Sequence, residues 1–220
     1  MREAAASVLI LAVTMNFLAL GTSNLKACIR AAALQGFLVS VFPLLFTPAP
    51  TLRLLGFVVV AGIVKAFVIP GMLTRALREV HIQHEVDPYL SLVPSVLLLA
   101  VGTGATTLFA SRLPLMPAHR DLLVVPVALA MLFAGFLLLT TRRKAISQVT
   151  GYLILENGIF VFAQLLHEAM PALVEVGVLL DLLVGIFVMG IVMNHIQREF
   201  GSLDTERQDD EREQQHPVSP

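Results

Sequence analysis

The sequence predicts an all-α, polytopic membrane bundle of about seven spans, with the N-terminus outside and the C-terminus inside. Three observations lead there. Hydrophobic residues make up 56% of the 220 and charged residues only 14%, whereas soluble domains carry about 25% charged residues. Apolar stretches recur from one end of the chain to the other. They run for ~20 residues instead of alternating over about ten, which selects helices over a barrel as the way to satisfy the backbone in lipid.

The first span is expected over residues 4–21. Its apolar run is longer than a signal-peptide core and no small-x-small cleavage site follows, so it reads as an uncleaved helix. The second, 27–46, is the weakest pattern, because its first turn is alanine-rich and holds Arg30 and Gln35; Pro48-Ala49-Pro50 ends it. The third covers 52–77 and is followed by a polar loop over 78–88. The fourth and fifth, 89–110 and 121–141, flank a proline-marked connector over 111–120. The sixth and seventh, 145–167 and 172–196, are separated by a hairpin around Met170-Pro171. Residues 1–198 thus form the bundle, and 199–220 form a separate tail.

Orientation follows from the loops. With the N-terminus outside, the inner segments hold ten basic residues: Lys26, Arg30, Arg75, Arg78, Arg142, Arg143, Lys144, Arg198, Arg207 and Arg212. The outer segments hold four, Arg2, Arg53, Arg112 and Arg120, and Lys65 lies within a span. That excess satisfies the positive-inside rule. From Glu199 onward the tail has seven acidic and two basic residues and no apolar period, which reads as a disordered cytoplasmic end or a docking strip for a soluble partner.

Composition also excludes function classes. A single cysteine, Cys28, leaves no intramolecular disulfide and no self-contained iron–sulfur or multi-cysteine metal site. A net charge of −1 gives nucleic acid nothing to bind. No phosphate-binding glycine loop or serine-nucleophile motif is present. His81 and His84, followed by Glu85, have a superficial metal-site spacing, but two histidines in a polar loop are ordinarily solvated. No cofactor is expected.

The chemistry sits in three charged residues inside apolar helices. Lys65 is near the middle of the third span, Glu156 at the middle of the sixth, and Asp181 one turn from the middle of the seventh. A charge at the bilayer centre costs roughly 2.5–3.5 kcal/mol even on the permissive insertion scale, so each should face protein or water. Burial narrows the free-energy gap between charged and neutral forms, which suits proton relay. The plain alternative is that the three hold helices together as ion pairs or hydrogen bonds. Gly177 and Gly185 flank Asp181 at i−4 and i+4, on one helical face, open to a close-packed neighbour or a thread of water. His195, near the inner end of the seventh span, and His167, near the outer end of the sixth, are candidates for proton entry or exit, or simply interfacial. Pro70 follows Lys65 by five residues and leaves the carbonyl of Ala66 without its helical donor, which should kink the helix beside a buried cation. There is also a faint internal echo. Asn24-Leu25-Lys26-Ala27 opens a span with Gln35 and precedes one with Lys65; Arg143-Lys144-Ala145 opens a span with Glu156 and precedes one with Asp181.

From Arg142 onward the sequence resembles a known family. The stretches Thr150-Gly151-Tyr152-Leu153-Ile154-Leu155-Glu156-Asn157-Gly158, Pro171-Ala172-Leu173-Val174-Glu175-Val176-Gly177, Asp181 and Gly201-Ser202-Leu203-Asp204 resemble component E of hydrogenase-4. That is a membrane subunit of formate hydrogenlyase-type, group 4 nickel–iron hydrogenase complexes. Lys65-Ala66-Phe67-Val68-Ile69-Pro70 looks like the same family. The last three spans are similar, more distantly, to the K subunit of complex I and its counterparts in multisubunit cation/proton antiporters. Arg142-Arg143, Gly151, and Asp181 with Gly185 fit that pattern, but Glu156 comes one turn later and Asp181 stands where the pattern has glutamate. The resemblance implies a non-redox subunit of an oxidoreductase complex in a prokaryotic plasma membrane. Its partners would be antiporter-like membrane subunits and peripheral hydrogenase subunits, with proton translocation through Lys65, Glu156 and Asp181. Two other readings stay open: a structural assembly subunit without a proton path, and an antiporter component without a redox partner.

Overall fold

The structure, a computed structural model, describes residues 2–45, 50–79, 88–113 and 123–166, and beyond them Leu183, Gly185 and Gly190. The described residues form an all-helical bundle: α1 (Arg2–Leu20), α2 (Leu25–Val41), α3 (Leu52–Ile63), α4 (Ile69–Glu79), α5 (Leu92–Ser111), α6 (Val124–Thr141) and α7 (Ala145–Ala163). A π turn over Val64–Val68 joins α3 to α4 in one continuous span. Six helices among the described residues are long and apolar enough to cross a membrane. Of the expected seventh span, only Leu183, Gly185 and Gly190 are described, and all three are helical. The polar loop with His81, His84 and Glu85, and the tail from 199, lie outside the described residues.

Local chemistry sets the ends. Asn24 caps α2 by accepting from the backbone N–H of Lys26 at 3.0 Å and of Ala27 at 3.3 Å, so this helix begins two residues before the expected 27. It tightens into a 3₁₀ turn over Phe42–Leu45, because Pro43 has no N–H to carry the α ladder on. Thr51 caps α3 through Leu54 N–H at 3.2 Å. Helix α5 starts at Leu92 instead of 89, since the N–H of Tyr89 donates to Thr141 O at 2.9 Å and its ring lies under the Arg143 guanidinium at 4.4 Å.

Helices α1, α2, α6 and α7 make the centre, with the α3–α4 span against α2 and α5 against α6 and α1. The α6–α7 contact is the closest. A Cβ added at Gly135 would lie 2.6 Å from the backbone nitrogen of Leu155, one at Gly151 3.0 Å from that of Leu139, and one at Gly158 2.9 Å from that of Leu132. These glycines let two backbones meet where no side chain fits, the usual basis of helix association in lipid. The outer faces of α3 and α5 carry exposed Val59, Val60, Ile63, Val93, Leu97 and Val101, as a surface that meets hydrocarbon should.

Apolar clusters fill the two ends of the bundle. At one end, Ala5, Leu9, Phe42, Met131 and Phe160 pack together. At the other, Leu20, Cys28, Leu138 and Ile154 form one group and Ile29, Ile69, Leu73 and Leu153 another. A layer of buried polar side chains lies between them.

Candidate functional site: a buried ion pair on a chain of amides

The layer is built from one residue or two per helix: Asn16 on α1, Gln35 on α2, Lys65 in the π turn, and Glu156 and Asn157 on α7, all buried. Lys65 Nζ lies 2.8 Å from Glu156 Oε1, with the two side chains 8% and 2% exposed. It also donates to Asn157 Oδ1 at 2.9 Å. Asn157 Nδ2 donates to Gln35 Oε1 at 3.2 Å, and Gln35 Nε2 donates to Asn16 Oδ1 and, at 3.4 Å, to Ala12 O.

The lysine dictates the direction of this chain. An ammonium has donors only, so Asn157 must turn its oxygen toward Nζ. Its amide nitrogen then faces Gln35, which presents oxygen in turn, and the same logic passes to Asn16. Every amide dipole therefore points its negative end toward the cation, and aligned hydrogen bonds of this kind reinforce one another in a low-dielectric interior. Phe160 adds its ring face at 5.5 Å from Nζ. Glu156 receives far less support. Among the described residues, its Oε2 has no hydrogen-bond partner.

Two glycines make room for the pair. A Cβ on Gly36 would sit 3.1 Å from Lys65 Cβ and 3.4 Å from Asn157 Nδ2, so the lysine stem passes close against α2 and a side chain there would crowd it. A Cβ on Gly185 would sit 3.2 Å from Glu156 Oε2. Gly185, four residues after Asp181 in the sequence, therefore lies beside this carboxylate oxygen.

The π turn aims Lys65. Pro70 cannot donate to Ala66 O, and the ladder adjusts by widening, with Ile69 N–H donating to Val64 O across five residues. The disturbance expected from Pro70 takes the form of this π turn, which carries Lys65 itself. A cavity of about 10 Å³ adjoins the pair, lined by Gly36, Pro70 and Leu153 among others. That is near the lower limit for a single water.

Of the residues expected to carry chemistry, Lys65 and Glu156 are brought together. Asp181, His167 and His195 lie outside the described residues. The sequence reading missed the roles of Asn16, Gln35 and Asn157, whose signal is an amide inside an apolar run, the uncharged counterpart of the rule that exposed the lysine and glutamate. Arg142, counted there among the inner charges and in the arginine pair of the family pattern, has a packing role as well. The side chain is buried, and Nη2 donates to Leu20 O at 2.7 Å, closing the carbonyl end of α1.

The chain has relatives among known proteins. The chain is 34% identical over 189 residues to the uncharacterized protein Rv0085 of Mycobacterium tuberculosis, covering 84% of each. It is 28% identical over 169 residues to hydrogenase-4 component E of Escherichia coli K12, covering 76% of this chain and 77% of that one, and to the same degree to the Shigella flexneri protein of that name. No family model and no solved structure matches it. At that identity and coverage the chain belongs to the family of Rv0085, with hydrogenase-4 component E as a more distant relative.

Proposed function

We propose that this protein is a membrane subunit of a hydrogenase-4-like complex in a prokaryotic plasma membrane, where the Lys65–Glu156 pair takes part in proton translocation. The observation that carries the reading is a buried ion pair, in a relative of a hydrogenase membrane component, with one carboxylate oxygen left unpaired among the described residues. Electron transfer belongs to partner subunits, because metal clusters need thiolates and this chain has one cysteine.

The mechanism rests on asymmetry. The amide chain fixes Lys65 in one place, whereas Glu156 is held mainly by Lys65 itself. Movement of the seventh span at Gly185, driven by redox change in partner subunits, alters what Glu156 Oε2 faces. A proton taken up there neutralises the carboxylate and releases it from Lys65; return of the span restores the pair and expels the proton. Asp181, one helical turn from Gly185 in sequence, is the proposed donor or acceptor. His167 and His195 are proposed at the outer and inner ends of the path. The proposal extends to these spans the lateral chain of charges that their resemblance to the K subunit of complex I implies.

Affinity purification of the tagged protein from gently solubilised membranes, with mass spectrometry of what accompanies it, tests the assignment. Nickel–iron hydrogenase subunits and large antiporter-like proteins are the expected companions. Antiporter subunits alone would move the protein to a cation/proton antiporter, and a reproducibly solitary protein would overturn the subunit reading.

A further inference from the structure

At the end of the bundle that holds the α1–α2 turn, a side-opening cleft of about 460 Å³ lies between α2 and the α3–α4 span. Arg30, Arg75 and Arg78 line its polar part, and all three are exposed. Phe67, Pro70 and Gly71 line its apolar part. We propose that this cleft binds an anionic phospholipid, with the phosphate on the arginines and the first acyl carbons along Phe67 and Gly71.

Depth supports this occupant. Lys65 and Gln35 belong to one buried layer, linked through Asn157. Arg75 lies ten residues beyond Lys65, ~15 Å along a helix, which is half the thickness of a hydrocarbon core centred on that layer. Arg78 reaches the headgroup region. Arg30 is only five residues from Gln35, ~7.5 Å, and so starts within hydrocarbon while facing the exterior of the described residues. A guanidinium at that depth has to snorkel or meet an anion drawn down to it.

Shape agrees with charge. Phe67 is 71% exposed, and the apolar surface continues past it through Ile63, Val60 and Val59, along the line an acyl chain would follow. An acidic peptide would match the arginines but leave that strip uncovered. Basic clefts between spans at a cytoplasmic face are a general route to anionic lipid recognition. The cleft shares Ile29 and Pro70 with the small cavity beside Lys65, so its occupant would rest against the π turn.

The experiment is titration of the delipidated, detergent-solubilised full chain with dioleoyl phosphatidylglycerol, dioleoyl phosphatidylcholine or inorganic phosphate. Retention is read by native mass spectrometry and thermal stability by melting. Phosphatidylglycerol should be retained and raise the melting temperature, whereas phosphatidylcholine and phosphate should do neither. Changing Arg30, Arg75 and Arg78 together to glutamine should weaken phosphatidylglycerol binding on the order of a hundredfold. Gly71→Leu offers a second variant that keeps every charge. Nothing lies within 4 Å of a Cβ there, so the new side chain enters the cleft without disturbing the helix, and it should weaken lipid retention as well. Equal retention of phosphatidylcholine, or undiminished phosphatidylglycerol binding in either variant, would overturn the site. Lipid uptake only after neutralisation of the acidic residues from Glu199 onward would assign the cleft to the protein's own tail instead.

Discussion

Replacing Glu156 with leucine while Lys65 remains is expected to destabilise the protein by about 3–5 kcal/mol, the usual effect of leaving a buried charge without its partner. The geometry leaves little room for escape. Lys65 is 8% exposed, its stem is pinned beside Gly36, and its other contacts are the Asn157 oxygen and the face of Phe160. Lys65→Met should be similarly damaging, since Glu156 then has neither cation nor hydrogen bond among the described residues. The double variant should recover most of the loss, falling short by about 1–2 kcal/mol because Asn157 Oδ1 loses its donor. Unfolding in mixed micelles of mild detergent and dodecyl sulfate measures all four proteins. Additive single effects, with no coupling energy in the cycle, would mean that the pair does not form in the membrane.

The second large effect is expected in coupling. Glu156→Gln keeps the shape of the side chain and a hydrogen-bonding oxygen for Lys65, but it cannot exchange a proton. In inverted vesicles carrying the assembled complex, redox-driven proton uptake should fall about a hundredfold or more, the scale on which a positioned acid or base contributes. Electron transfer and subunit content should remain. Asp181→Asn should give the same dissociation of pumping from turnover. A purely structural role predicts the opposite pattern, in which pumping falls only as far as the complex fails to assemble.

How much of this was legible in the chain depends on the kind of residue. The six described spans were readable because a run of ~20 apolar residues has few other uses, and their ends shifted where local bonds intervene, the Asn24 cap of α2 and the bond of Tyr89 to Thr141 ahead of α5. Lys65 and Glu156 stood out as charges in apolar runs, yet nothing in their spacing, 91 positions apart, says that they meet. That pairing depends on how the α3–α4 span and α7 lie against α2. Gln35 and Asn16 were visible as polar residues, but an amide in a span can bond its own helix, so their link to Lys65 through Asn157 required the packing. Gly36 carried no signal, because its purpose is the space it leaves for a residue on another helix. Pro70 marked the disturbed ladder beside Lys65, but the form it takes, a π turn that carries the lysine, is set by how the backbone upstream absorbs the missing donor. Arg142 read as a loop charge because burial of its side chain against Leu20 depends on the return of α6 beneath α1.

If Glu156 changes protonation as the complex works, as proposed, redox-difference infrared spectroscopy on the purified complex observes it directly. A carboxylic C=O band should appear and disappear with the redox state, shift on isotopic labelling of glutamate, and be missing in Glu156→Gln. A spectrum in which that variant matches the native complex, while both continue to pump protons, would contradict the proposal.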